Sequence, residues 1–191
     1  KDTWQVQSRL ELEFEKLYRR LFLPPVRHGS AGARKRYAGV VDGEDNVEFV
    51  GMEVVRRDWT TLAKNVQREL YIRLFDGGPV LSFLRGYVRD LRSGELDDLL
   101  VYRKGLRKAL HEYTAITPPH VVAARKAKTP SRVVSYVITT AGPEPLDNVR
   151  HELDREHYVQ RQVRPVAEPV LDVLGLDFDR AIGDDRQLGL F

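Results

Sequence analysis

Apolar and acidic residues alternate at period two in Leu10-Glu11-Leu12-Glu13-Phe14-Glu15, which predicts a half-buried strand. Tyr18 to Leu23 is a second β-prone run, closed by Pro24-Pro25 and followed by a turn rich in Gly and Ala from Gly29 to Gly32. Arg36-Tyr37-Ala38-Gly39-Val40-Val41 and Val47-Glu48-Phe49-Val50 flank Asp42-Gly43, the pattern of a hairpin. At Asp58 the period changes. Asp58 suits an N-cap, and Trp59 to Phe75 sets Leu62, Val66, Leu70 and Leu74 on one stripe at four-residue spacing. Asp76-Gly77-Gly78-Pro79 stops that helix. A second helix is expected from Pro79 or Val80 to about Leu91, carrying Leu81, Leu84 and Val88 inward. Residues 99 to 106 show no period; His120 to Lys128 reads as a helix and Arg132 to Thr140 as a strand. Gly142-Pro143-Glu144-Pro145 reads as a turn, and a last helix runs from about Asp154 to Leu174, bent at Pro165 and Pro169. Past Gly175 the chain turns acidic and linker-like. Strands first and helices after, with one late strand among the helices and no internal repeat, make the expected class α+β.

Composition narrows the chemistry. The 191 residues allow one or two domains with a real core, and 42% hydrophobic with 31% charged residues describes a soluble globular protein. The cysteine count of 0 excludes disulfides, thiol catalysis and cysteine-ligated zinc or iron–sulfur sites, and it fits a cytoplasmic protein. No apolar run approaches the length of a membrane span and no signal-peptide pattern opens the chain, so no membrane partner is expected. The first residue is Lys1 and not Met, as in a trimmed product or a piece of something longer.

Net charge is only +3, but it is unevenly spread. Arg103 to Arg132 holds eight Lys/Arg against Glu112 alone, whereas Val133 to the end holds six Arg against eleven Asp/Glu. The first 102 residues are near neutral, with 17 basic and 16 acidic. A basic block between neutral and acidic ones suits a polyanion track, and it is equally the pattern of a solvated face. Two further clusters carry candidate chemistry. Arg34-Lys35-Arg36-Tyr37 puts three cations before a tyrosine at the mouth of a strand, where alternation sends Lys35 and Tyr37 one way and Arg36 the other. A cation beside a phenol can hold a phosphate and its sugar; the competing reading is an edge strand guarded by charge. Arg56-Arg57 stand just before Asp58, where a helix N-terminus favours an anion, unless they pair with Glu53 or Asp58. His28, His111, His120, His151 and His157 lack metal-ligand spacing. The close acidic pairs Asp97-Asp98, Asp177-x-Asp179 and Asp184-Asp185 read as solvated surface. There is no phosphate-cradling Gly loop and no nucleophile elbow.

In this order the clusters resemble family B DNA polymerases: Lys35-x-Tyr37, then Glu53-x-x-Arg56-Arg57-Asp58-Trp59, like the end of a palm and the entry to a thumb. The similarity continues through Gly94-Glu95-Leu96, Leu100-Val101-Tyr102, Leu110-His111-Glu112-Tyr113 and Pro119-His120-Val121-Val122-Ala123-Ala124. It persists in Val134-Ser135-Tyr136-Val137-Ile138, Gly142 to Asp147 and Tyr158-x-x-x-Gln162-x-x-Pro165, from about Arg9 to Gly175. The Gly142–Asp147 segment and the ending Gln187-Leu188-Gly189-Leu190-Phe191 are similar to the bacterial DNA polymerase II branch, which acts in repair and restart of replication. The resemblance implies a C-terminal fragment: antiparallel palm-end strands over 1–58, a mostly helical thumb with a short β element over 59–175, and a flexible tail over 176–191. It implies a DNA-contacting set of Arg34, Lys35, Tyr37, Arg56, Arg57, Arg103, Lys104, Arg107, Lys108, Tyr113, His120, Arg125 and Lys126. It also implies that Gln187, Leu188, Leu190 and Phe191 bind a sliding clamp, although Leu190 and Phe191 could instead fold back on their own domain.

The family's paired palm aspartates and its Lys-rich fingers helix do not occur here. The expectation is therefore no catalytic residue and no metal or cofactor in this piece, with magnesium serving the parent enzyme. Expected partners are primer–template DNA, the clamp and the rest of the polymerase chain. Three departures stand out: only Lys128-Thr129-Pro130 separate Ala127 from Ser131, where relatives carry a longer segment; Arg34 replaces a lysine; and Thr114 follows Tyr113 where many relatives have lysine. The alternatives are a stand-alone DNA- and clamp-binding adaptor without catalysis, and a structural domain whose basic block is plain surface. The run from Leu10 to Phe22 should expose an apolar edge if its neighbouring strands are elsewhere, giving weak self-association.

Overall fold

The computed structural model describes residues 11, 13–25, 35–114 and 117–184. Two three-stranded antiparallel sheets frame a helical core. The first contains β1 (Tyr18–Phe22), β2 (Tyr37–Val41) and β3 (Val47–Val50) in the order β1-β2-β3, with Tyr37 opposite Val50 and Gly39 opposite Glu48. The hairpin predicted across Asp42-Gly43 joins β2 to β3, and Gly43 takes the positive φ of 81° that this tight connection requires. The expected strand over residues 10–15 is not formed where it is described: residues 13–17 have no regular structure, with Phe14 83% and Leu17 58% exposed. Alternation alone cannot make a strand without a partner to take its hydrogen bonds.

Helix α1 (Thr61–Asp76) begins later than the sequence suggests. Its N-cap is Thr60, whose side chain accepts from the Ala63 N–H, because Asp58 is already engaged by Arg56. Gly77 closes the helix in the left-handed region at φ 70°, as read from the sequence. Leu62, Val66 and Leu70 are fully buried against α2 (Val80–Ser93) and α5 (Arg164–Val173), whose own inward residues include Leu84, Leu91, Val166 and Val170. Tyr71 of α1 is the bridge to the first sheet: its ring lies edge-on to Phe22 at 5.2 Å and to Phe49 at 5.8 Å.

The second sheet has the order β4-β5-β6, from β4 (Tyr102–Gly105), β5 (Val133–Thr139) and β6 (Gly142–Pro145). The periodless stretch 99–106 thus contains a strand, and Gly142 to Pro145, read as a turn, is another. Both prolines are tolerated because β6 is an edge, where a missing N–H costs no ladder bond, and alternate residues carry them. Helix α3 (Pro119–Lys126) packs on β6 and starts one residue earlier than expected, with proline in its first turn.

The last predicted helix is three pieces: α4 (Arg155–Tyr158), a π-helical turn Val159–Val163, and α5. Asp154, expected as about the first residue of that helix, is its N-cap and accepts from the His157 N–H. Pro165 cannot give a hydrogen bond back to the Arg161 carbonyl, and the wide π turn sits where that bond is lost. Past Gly175 the expected linker is instead α6 (Phe178–Ile182), capped by Asp177, with Phe178, Ala181 and Ile182 buried against α2 and α5. Three apolar residues at helical spacing outweighed the acidic composition around them.

Candidate nucleic-acid interface

Lys35 stands exposed in the turn entering β2, and Tyr37 is the first residue of that strand. Between them Arg36 turns inward, so alternation leaves Lys35 and Tyr37 on the other face. Its Nη2 donates to both carboxylate oxygens of Glu53, at 2.6 and 2.8 Å, and Glu53 is 1% exposed. Arg34 lies outside the described residues. Tyr37 is half-buried, its ring edge-on to Tyr18 at 5.8 Å, while the Tyr18 hydroxyl donates to Glu48 at 2.6 Å. Gly51 is what lets the two clusters approach. A Cβ there would lie 2.0 Å from the Lys35 carbonyl oxygen, and φ is +62°.

Arg56 and Arg57 follow a 3-10 turn over Glu53–Val55, three residues short of the α1 N-cap, so the expected helix-dipole anion site does not coincide with them. Arg56 is bound by Asp58 through two contacts of 3.0 and 2.8 Å. That pair holds the Asp58 carboxyl below its usual range, with a smaller contribution from Lys104. Arg57 is exposed and has no carboxylate partner among the described residues, which makes it the less encumbered of the two.

In the basic block Arg103 and Lys104 are exposed on β4, an edge strand. The next turn is organised by Tyr113: its hydroxyl accepts from the Arg107 N–H at 3.1 Å and the Lys108 ammonium lies 4.8 Å above its ring. Its carbonyl oxygen accepts from Arg125 at 2.9 Å, and Lys126 donates to the Pro143 carbonyl at 3.0 Å. These bonds to neutral oxygens orient the cations without cancelling their charge. Among the described residues, none of Arg103, Lys104, Arg107, Lys108, Arg125 and Lys126 forms a salt bridge. His120 differs from the rest of the predicted set. It is buried, and desolvation, then Lys104 and Arg107, lowers its basicity, so it is a neutral imidazole at pH 7. A groove of about 750 Å³ opens beside this turn, lined by Leu106, Leu110, Val133 and Leu146 with Arg107 and Arg132 at its wall.

The acidic pairs are not merely solvated. Asp97 is gripped by Arg155 at 2.9 and 2.7 Å, Asp177 caps α6, Asp179 pairs with Arg164, and Asp184 pairs with Arg92. Among the described residues no three His, Asp or Glu side chains come together as metal ligands. The tail residues Gln187, Leu188, Leu190 and Phe191 lie outside the described residues. Two polar residues carry structure that sequence reasoning did not assign. Gln67 bridges Glu53 and the Val54 N–H at 2.8 Å each, and Gln162 on the π turn accepts from the Thr60 hydroxyl at 2.8 Å. A glutamine on the buried stripe of a helix was the available signal for Gln67.

What this geometry defines is an α+β scaffold carrying exposed cations that, among the described residues, have no carboxylate partner. Comparison with known proteins makes it specific. A family model described as DNA polymerase family B matches residues 3–171. The chain is 43% identical over 201 residues to DNA polymerase II of Escherichia coli (strain K12), covering 98% of this chain and 25% of that protein. It is 29% identical over 202 residues to a DNA polymerase of Thermococcus gorgonarius, covering 95% and 25%. The solved family B DNA polymerase of the hyperthermophilic archaeon Pyrobaculum calidifontis superimposes with a TM-score of 0.64 at 29% identity, over 86% of this chain and 23% of that one. The chain belongs to the family B DNA polymerases. It spans about a quarter of the length of these two curated relatives.

Proposed function

We propose that this chain is the primer–template-gripping portion of a DNA-directed DNA polymerase of the polymerase II type, acting in replication and repair in the cytoplasm. Family membership supplies the polymer it would hold. The observation that carries the reading is the set of exposed cations that, among the described residues, are left without carboxylates: Lys35, Arg57, Arg103, Lys104, Arg107, Lys108 and Arg125. Lys35 and Tyr37 hold the primer end, Arg56 and Arg57 its phosphates a little upstream, and the block from Arg103 to Lys126 follows the duplex backbone. Each neutralised phosphate releases counterions, so affinity falls with salt and is indifferent to base sequence. Arg56 contributes less than Arg57 because Asp58 must first be displaced from it.

Nucleotidyl transfer belongs to the rest of the polymerase. Its magnesium does not fit the residues here, whose carboxylates at Asp97, Asp179 and Asp184 are each taken by an arginine. Gln187, Leu188, Leu190 and Phe191 tether the enzyme to a sliding clamp. The reading is tested by anisotropy of two labelled primer–templates of unrelated sequence. Equal, salt-sensitive affinities support it, and absence of binding at low salt rejects it in favour of a structural domain. Deleting residues 187–191 should abolish capture by immobilised clamp and leave DNA affinity unchanged.

A further inference from the structure

The two gripping clusters share one buried carboxylate. Glu53 receives Arg36 from the strand that carries Lys35 and Tyr37, begins the 3-10 turn that ends at Arg56, and receives the Gln67 amide from α1. Gln67 returns the connection by accepting the Val54 N–H at 2.8 Å, and Tyr71, one turn further along α1, is fully buried beside the same pair. Among the described residues, two polar atoms here are buried without a hydrogen-bond partner, Arg36 Nε and the Tyr71 hydroxyl. A joint made only for stability would not be built this way. Burying an ion pair costs about as much desolvation as its attraction returns, and apolar groups of equal volume do as well or better. Unpaired buried donors add a further cost. What a buried, hydrogen-bonded pair does supply is a single orientation, because the charges tolerate no other partner arrangement.

We propose that Glu53 is a positioning residue: its carboxylate, held between Arg36, Gln67 and the turn to Arg56-Arg57, fixes Lys35, Tyr37 and Arg57 in one register against α1, so that they reach successive phosphates together. The inference rests on the DNA-gripping reading given above and deepens it. The inward residue of the strand sets the outward ones: Arg36 cannot rotate or slide without moving Lys35 and Tyr37. Gly51 closes the same joint from the backbone side, with no space for a side chain under the Lys35 carbonyl.

The test uses the full 191-residue chain and the salt dependence of primer–template binding. The slope of log affinity against log salt counts phosphates held at about 0.9 each for a duplex, and it does not change when part of a sample is merely unfolded. The double variant Arg36→Met/Glu53→Leu replaces the pair by apolar groups and should fold. The proposal expects a slope shallower by about 2 and affinity lower by about tenfold. Glu53→Gln, which keeps the volume and the Gln67 contact, should shift the slope in the same direction and serves if the double variant does not fold. A folded variant with the wild-type slope and affinity overturns the positioning role. A direct Lys35→Ala/Arg57→Ala variant fixes the scale: if it too keeps the wild-type slope, these two cations hold no phosphate and the proposal falls with them, an outcome distinct from failure at Glu53 alone and from loss of the grip along Arg103 to Lys126.

Discussion

Arginine does two different jobs in the two halves of this molecule. In the helical half Arg92, Arg155 and Arg164 are each clamped by a carboxylate from another part of the chain: Arg92 by Glu156 and Asp184, Arg155 by Asp97, and Arg164 by Asp179, with Glu168 of its own helix adding a second contact. Across residues 103–126 the Lys and Arg side chains form no ion pair among the described residues; Arg125 and Lys126 meet neutral oxygens and Lys108 an aromatic face. The first arrangement spends charge on tying α2, α4, α5 and α6 together. The second holds charge outward and leaves it available to an external polyanion. Composition already points to the difference, with eight Lys/Arg against Glu112 alone from Arg103 to Arg132 and six Arg against eleven Asp/Glu from Val133 onward; the placement of the carboxylates shows which cations they take.

That difference should be breakable from either side. The largest effect is expected from Arg103→Ala/Lys104→Ala/Arg107→Ala/Lys108→Ala, which should lower primer–template affinity about a hundredfold at low salt and flatten the salt slope by about 3, read by anisotropy. The same variant should unfold within about 1 kcal/mol of wild type, because exposed side chains without carboxylate partners, even with Lys108 over the Tyr113 ring, contribute little to folding. Arg155→Ala is the converse: urea unfolding should show a loss of about 1 kcal/mol, the usual worth of a partly exposed pair, with the salt slope of DNA binding unchanged.

A smaller effect separates the two regions by pH. Glu144 is buried on β6 and accepts the Arg150 N–H at 2.7 Å, with His151 donating as well. The Arg150 N–H, then His151, hold its carboxyl down at about 2 against an ordinary 4.5. Because the folded value is the lower one, its contribution is complete above about pH 4.5 and disappears as pH falls toward 2. Wild-type urea midpoints should therefore fall between pH 5 and 2.5 more steeply than those of Glu144→Gln. The smallest expected effect is at β1, the outer strand of the first sheet among the described residues, where Leu21 is 49% exposed and Phe14 and Leu17 are exposed as well. Light scattering should detect weak association at high concentration, reduced in Leu21→Lys, and a clean monomer throughout would remove that edge as a contact.

The sequence made the helices most legible. Leu62, Val66 and Leu70 at four-residue spacing, ended by Gly77, gave α1 almost to its boundaries, because a repeating apolar face and a left-handed stop are local signals. It was least legible where a partner decides the outcome. Leu10 to Glu15 alternates without forming a described strand, while Gly142 to Pro145 pairs with β5 despite its prolines. The candidate site divides along the same line. Lys35, Arg57 and the block from Arg103 to Lys108 could be picked from charge runs, since exposure needs no partner. That Arg36 turns in to Glu53, that Arg56 is held by Asp58, and that His120 is buried and neutral all depend on neighbours brought in by folding. The acidic tail misled for the same reason: Asp177 caps a helix whose apolar face is buried against distant residues.

The most direct test of the account is the salt titration of primer–template binding by the intact chain against its Arg103/Lys104/Arg107/Lys108 alanine variant. A steep wild-type slope that becomes shallower by about 3 in a variant with unchanged thermal stability would establish that the uncompensated cations hold DNA. Equal slopes in the two proteins would contradict that claim and return the basic block to the status of ordinary surface.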